Sequence, residues 1–224
     1  MSKETLNTFR LLLPGLMLYI LLLPAGKGSL NPTVIIANLG TIEDLFYLIA
    51  AFFLGGLYYA FDMHGRLHRP ELNYIHYNIH RRLLEPFRSD DTIARAQDRL
   101  RKEQTLLDIF YFLVDNDESL RERAKNVQLN GLVWTSVMDV TATGLIATAF
   151  YIVLAVGMAR LDYVGAAIAC GAVAAFAYYV LLPRLTQRHI VLSDEQLMYI
   201  TSQKRKDLHA KLLEAASVDR KWYV

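Results

Sequence analysis

The chain has 224 residues, 54% of them hydrophobic and 21% charged, with a formal net charge of +2 at pH 7. That near-balance argues against a nucleic-acid-binding domain, and a single cysteine, Cys170, rules out a disulfide within the chain. The apolar residues lie in blocks rather than along amphipathic stripes. The relevant length is therefore that of a bilayer, whose ~30 Å hydrocarbon core is spanned by about 20 apolar residues in a helix.

Four such blocks predict an all-α, polytopic membrane protein, with transmembrane helices over 9–25, 45–61, 132–158 and 164–182. The first block is short and carries Pro14 and Pro24 near its ends, where proline is tolerated. Its competing reading is a cleaved signal peptide, against which stands the lack of a clear small-residue cleavage pattern around "PAGKGS". The domains expected are 1–61 (helices one and two), a cytoplasmic helical loop over 62–131, 132–182 (helices three and four) and a cytoplasmic C-terminal helix within 183–224. Lys and Arg set the orientation. Lys3 and Arg10 lie before or at the start of the first block, twelve lie between blocks two and three, and eight follow block four, whereas the other two connections hold only Lys27 and Arg160. Both termini and the central loop are thus expected in the cytoplasm, across a cell (inner) membrane.

The loop begins with "MHGRLHRPELNYIHYNIHRRL". Pro70 is placed to start a helix running to about residue 84, with Leu72, Ile75, Ile79 and Leu83 on one side and His76 and His80 at the margin of that stripe. Arg81 and Arg82 close it, suited to contact with headgroups or a cytoplasmic partner. A second helix is expected over 92–114, with Ile93, Leu100, Leu107 and Val114 recurring every seven residues and Asp90 or Asp91 as its cap. A third, over 118–128, would lead to a join at Asn130-Gly131. In the tail, Ser193 and Gln196 read as a capping box and Leu192 and Leu197 as its hydrophobic staple. The helix they open would bury Leu197, Ile200, Leu208 and Leu212. The run Lys204-Arg205-Lys206 suits an anionic surface or, more plainly, a solvated helix face.

Three groups of residues carry candidate chemistry. His64/His68 and His76/His80 are i, i+4 pairs able to share a metal ion. "HGRLH" and "HYNIH" resemble the histidine boxes of membrane fatty-acyl desaturases and hydroxylases. That resemblance implies a di-metal oxidoreductase acting on lipid, with these four residues as ligands. The chain departs from the family in having six histidines, no adjacent His-His pair and only the isolated His189 in the stretch directly after block four. A packing or coupling role for these histidines is therefore preferred, with no metal or cofactor expected. The second group is Asp139, set among Thr135, Ser136, Thr141 and Thr143. If the third helix is embedded from Leu132, Asp139 lies about 10 Å below its first residue, and an ionisable group there is a functional candidate. If the membrane begins at Val140, it is an interfacial acid. The third group is the small-residue stripe Gly165, Ala169, Gly171 and Ala175, which lets helices approach closely within or between subunits.

The layout of two spans, a helical loop, two spans and a helical tail resembles flagellar-type stator subunits in topology alone. Small sensors and effectors of bacterial immune or stress systems are built on the same scale. The function expected is an oligomeric, non-enzymatic membrane sensor, anchor or pore-like effector with the bilayer, further copies and a cytoplasmic protein as partners. The alternatives are the lipid metalloenzyme and an ion or proton pathway through Asp139.

Overall fold

The computed structural model describes residues 14–18, 20–21, 49, 53, 55–58, 60–61, 63–102 and 104–217, with positions 63, 64, 67 and 68 as backbone only. Of the described residues 94% are helical, with no strand among them. The helices expected over 9–25 and 45–61 fall largely outside this set, so the four-span count belongs to the proposal below.

Helix α1 is Met63–Leu84, followed by a short 3-10 turn, Glu85–Phe87. Helix α2 is Asp91–Lys102, α3 is Thr105–Asp115, α4 is Glu118–Met158 and α5 is Leu161–Phe176. A π-helical stretch, Ala177–Leu181, leads into α6, Leu182–Gln203, and α7 is Arg205–Ser217.

Several boundaries differ from those expected. Pro70 lies inside α1 rather than at its start, seven residues after Met63. The helix expected over 92–114 is two helices, divided at Gln104, whose φ of 55° is left-handed. Asn130-Gly131 breaks nothing, because α4 passes through both positions as one 41-residue helix. Its start is fixed upstream, where Asp117 Oδ1 accepts from the Leu120 amide at 3.0 Å and serves as the N-cap. Ser193 and Gln196 open no helix either. They sit in the middle of α6 and are buried, so the capping-box pattern was a coincidence of spacing. The true break in the tail is at Lys204. Pro183, which has no amide hydrogen and crowds the carbonyl four residues back, is the second residue of α6, just after the π-helical stretch.

The chain divides into two compact units, one of residues 1–69 and 133–184 and the other of 70–132 and 185–224. In the second unit, α2, α3 and α7 pack against one another. They enclose one apolar cluster that includes Ile79, Leu83, Leu100, Leu106, Leu120 and Leu208, the last five fully buried. The seven-residue stripe Ile93, Leu100, Leu107 and Val114 is buried along its whole length, as are Leu197, Ile200, Leu208 and Leu212. Both stripes hold their register across helix breaks. Asp90 caps α2, taking the Thr92 and Ile93 amides on Oδ1 at 3.0 and 3.2 Å. At the end of α7, the Arg99 guanidinium donates to the Ala215 and Ala216 carbonyls at 3.2 and 2.6 Å, filling orphan acceptors of the last turn.

Among the described residues, α4 and the run from Leu161 to Gln203, whose apolar stretches belong largely to the first unit, are the two helices long and apolar enough to cross a membrane. Their most apolar stretches are only 33% and 22% buried. Val153, Val156, Leu161 and Ile168 are all more than 60% exposed, which water would not favour over so long a surface. A second, smaller cluster forms where Tyr151 stacks with Tyr163, at 6.0 Å between ring centroids, beside Ala147, Ala167 and Cys170.

Candidate functional site

Among the described residues of the first unit, the most buried charge-bearing group is Asp139, 2% exposed midway along α4. Tyr58, itself buried, donates its hydroxyl hydrogen to Asp139 Oδ1 at 2.9 Å. Thr143, one turn on, is fully buried and donates to the Asp139 carbonyl at 2.7 Å, with Met17 Sδ at 3.9 Å. Thr141 returns its hydroxyl to the Val137 carbonyl at 2.9 Å. These bonds to the preceding turn satisfy hydroxyls where no water is at hand. Thr135 and Ser136 are half-buried at the start of the same strip. The strip faces protein: Tyr58 meets Asp139 and Met17 meets Thr143, and two turns further along α4 Tyr151 donates to the Leu21 carbonyl at 2.6 Å. Of these groups, sequence reasoning named Asp139 and its neighbours on α4. It missed Tyr58 as their partner because nothing in a linear pattern pairs positions 81 residues apart.

The small residues divide differently from the expected stripe. Close approach within the chain is made by Gly144 of α4 against α5. A Cβ at Gly144 would meet the Ala174 Cβ at 3.0 Å and the Cys170 carbonyl at 3.3 Å. Ala167, Cys170, Ala174 and Ala177 form the buried side of that helical run. Of the expected stripe, a Cβ at Gly171 would meet the Thr148 hydroxyl at 3.5 Å, whereas one at Gly165 would meet nothing within 4 Å, and Ala169 and Ala175 are exposed. Among the described residues, Gly165, Ala169 and Ala175 are not closely packed.

In the second unit, His76 and His80 lie half-buried, their rings stacked at 6.4 Å between centroids. Burial lowers the pKa of both, and for His80 the neighbouring His76 and Arg101 add to it, bringing the ring to about 4. Both are thus neutral near pH 7, and the buried Nε2 of His80 makes no hydrogen bond. His189, on α6, meets Asn130 at 3.4 Å, and Asn130 also donates to the Leu185 carbonyl at 3.1 Å. Among the described residues no group of three or more His, Cys, Asp or Glu side chains is arranged to hold a metal ion. The side chains of His64 and His68 lie outside that set.

The basic candidates are mostly engaged. Arg82 donates to Asp194 Oδ2 at 3.1 Å, while Asn78 holds the other oxygen at 2.8 Å; Arg81 reaches Asn78 at 3.4 Å. Lys204 pairs with Asp117 at 3.0 Å, and the contact lowers the Asp117 pKa and raises that of Lys204. Arg205 donates to the Pro86 carbonyl at 3.2 Å and lies over Phe87, 5.6 Å from the ring centre. Lys206 is exposed. His209, stacked on Phe87 at 4.9 Å, meets Asp90 Oδ2 at 2.9 Å, and this bond is the main reason the Asp90 carboxyl is held below its usual range. This meeting of Asp90, Asp117, Phe87 and His209 with the basic run was missed. The signal that existed was the capping role of Asp90; the helix break at Lys204 that brings the basic run there left no mark in the sequence.

Comparison of the chain with protein-family models, with curated proteins and with solved structures finds no match in any of the three.

Proposed function

We propose that the chain is a multi-pass protein of a cell inner membrane that works by assembling with further copies of itself. Its four helices cross the bilayer with both termini in the cytoplasm, and it acts as a sensor, anchor or pore-like effector. The observation that carries the reading is the inversion of the first unit. Asp139, Thr141 and Thr143 are inside, while Val153, Val156, Leu161 and Ile168 are outside, the arrangement expected where the surrounding solvent is hydrocarbon. Gly165, Ala169 and Ala175 remain open on this outer face, and small residues there suit close helix contact between copies. The central loop and tail, which hold most of the Lys and Arg residues, supply the cytoplasmic side and receive a signal or a soluble protein. The test is the mass of the detergent-solubilised particle. A defined oligomer is expected for the wild type, shifting toward monomer in Gly165→Leu/Ala169→Leu; a monomeric wild type removes the assembly reading.

A second reading rests on Asp139 itself. A buried carboxylate bonded to Tyr58 is the kind of group that carries an ion or proton step in a membrane. Asp139→Asn keeps the shape and removes the charge. Proton or ion leak through reconstituted vesicles that is abolished by this change supports the pathway, and unchanged leak removes it.

A further inference from the structure

The break between α6 and α7 forms one wall of a cleft of about 890 Å3, within the range of sites that hold small molecules. Its other wall is the turn after α1, with Phe87, Ser89 and Asp90. Three consecutive cations, Lys204, Arg205 and Lys206, line it together with His209. In an unbroken helix three successive residues would point about 100° apart around the axis, and they could not all border one cavity so readily. The break makes their convergence possible.

The charges in the cleft are unequally matched. Asp90 already serves the α2 amides and His209. Lys204 is answered by Asp117. Arg205 is held by a carbonyl and an aromatic ring, neither of which carries a charge, and that ring also fixes His209. Lys206 stands exposed, and Asp207 is the one further carboxylate in the lining. What remains is a pre-positioned guanidinium, an ammonium and a hydroxyl from Ser89 around a space larger than a water or a chloride would need. Arg recognises phosphate oxygens by paired, charge-assisted hydrogen bonds. The amides of the first turn of α7, which have no acceptor within the helix, add to the same field.

We propose that this cleft binds a phosphate-bearing molecule through Arg205, Lys206 and Ser89. The ligand is a phosphomonoester or diphosphate group, carried on a lipid or free in solution. Binding does not require the assembly proposed above.

The test uses the full chain in neutral detergent at about 0.15 M salt, where exposed charges are largely screened. Two probes are titrated by calorimetry, pyrophosphate for the free group and dihexanoyl phosphatidic acid for the lipid-borne one, with dihexanoyl phosphatidylcholine as control. Saturable binding of at least one phosphate probe is expected, and which one binds better identifies the source. Lys206→Glu should weaken it about tenfold or more, the effect of losing one charge-assisted contact and adding a repulsion. Lys206→Ala guards against a folding artefact, read by helical circular dichroism, and should weaken it several-fold. Asp207→Asn should tighten it. No saturable binding of either phosphate probe up to about 1 mM, the weak end of specific affinity, overturns the proposal. So does equal affinity in the wild type and in Lys206→Glu, or equal binding of the phosphatidylcholine control. Particle mass measured on the same samples reports separately on assembly.

Discussion

The two units of this chain are built inside out with respect to each other. In the second, large aliphatic side chains from α1, α2, α3, α6 and α7 fill the interior and the charges lie outside. In the first, a carboxylate and threonines are inside among aromatic and mostly small apolar side chains, while large aliphatic residues such as Val153, Val156, Leu161 and Ile168 lie outside. Both follow from the same rule, that each side chain goes where its transfer is least costly. On the membrane reading proposed above, what differs is the solvent each unit meets. Burial alone would misjudge the first unit as poorly packed, whereas its exposed aliphatic residues suit an apolar surrounding.

The strongest way to break the comparison is to show that the aqueous-type core is not one. Leu100 and Leu208 are fully buried in the cluster of the second unit. Leu100→Ala or Leu208→Ala should lose about 2–5 kcal/mol, by lost burial and the cavity left behind. Chemical unfolding followed by the helical signal checks this, and a loss below about 1 kcal/mol would mean that the cluster does not hold the unit together. The matching change in the first unit adds a charge to an exposed position. Val153 is 68% exposed. On a surface facing water, Val153→Asp would shift stability by within about 0.5 kcal/mol. On a helix facing lipid it should cost about 2.5–3.5 kcal/mol, seen as lost membrane insertion or yield of folded protein. Wild-type behaviour of this variant would remove the bilayer from the explanation.

What was legible in the sequence follows from the range over which each force acts. The buried stripes were legible because side-chain periodicity is local: Ile93, Leu100, Leu107 and Val114 end up in one core although Gln104 interrupts the helix between them. The interruptions were not legible. A left-handed Gln104 has no glycine or proline to announce it, and the Ser193–Gln196 spacing mimicked a helix start that packing overrode. The Asp139 strip was legible as polar residues in an apolar run. Its Tyr58 partner was not, since that contact depends on how distant segments meet. The small-residue pattern showed that span four could pack closely. It could not tell which side faces Gly144 within the chain, because nearly every turn of that helix offers an alanine or glycine.

The contact at Gly144 sharpens the comparison at a finer scale. A Cβ there would stand 3.0 Å from the Ala174 Cβ and 3.3 Å from the Cys170 carbonyl, so Gly144→Ala must push α4 and α5 apart. The expected cost is about 1–3 kcal/mol, against a gain of about 1 kcal/mol from helix propensity alone. Gly165→Ala, with nothing within 4 Å, should show only that gain in a monomer; a loss there, measured by thermal unfolding, would place a second copy against it.

In the second unit the sharper probe is pH. His80 in the folded chain has its pKa lowered to about 4, chiefly by burial, against 6.5 as its ordinary value. The unfolded chain therefore binds the extra proton first as pH falls. The stability that comes from the neutral ring is fully present above pH 6.5 and is lost progressively between 6.5 and about 4. Because the ring is only half-buried, the loss is about 1–2 kcal/mol after allowance for solvent screening. Melting temperatures compared at pH 7.5 and 5 should fall less in His80→Gln than in the wild type, and equal falls would show that the ring is solvated.

The smallest expected effect lies where neither solvent matters. Ala159 ends α4 with a φ of 53°, and the Arg160 amide behind it bonds the Ala155 carbonyl at 3.2 Å. This is the helix stop that usually employs glycine, since a Cβ is strained in the left-handed region. Arg160 then pairs with Asp162 and lies 4.6 Å from the Tyr163 ring centre, which fixes the start of α5. Ala159→Gly relieves the strain but frees the unfolded chain, so the net gain should be about 0.5–1 kcal/mol. The gain is a property of the backbone and should be the same in detergent and in lipid, unlike that of Val153→Asp. A loss on substitution, or a gain that changes with the surrounding medium, would mean that the turn is held by contacts beyond its own chain.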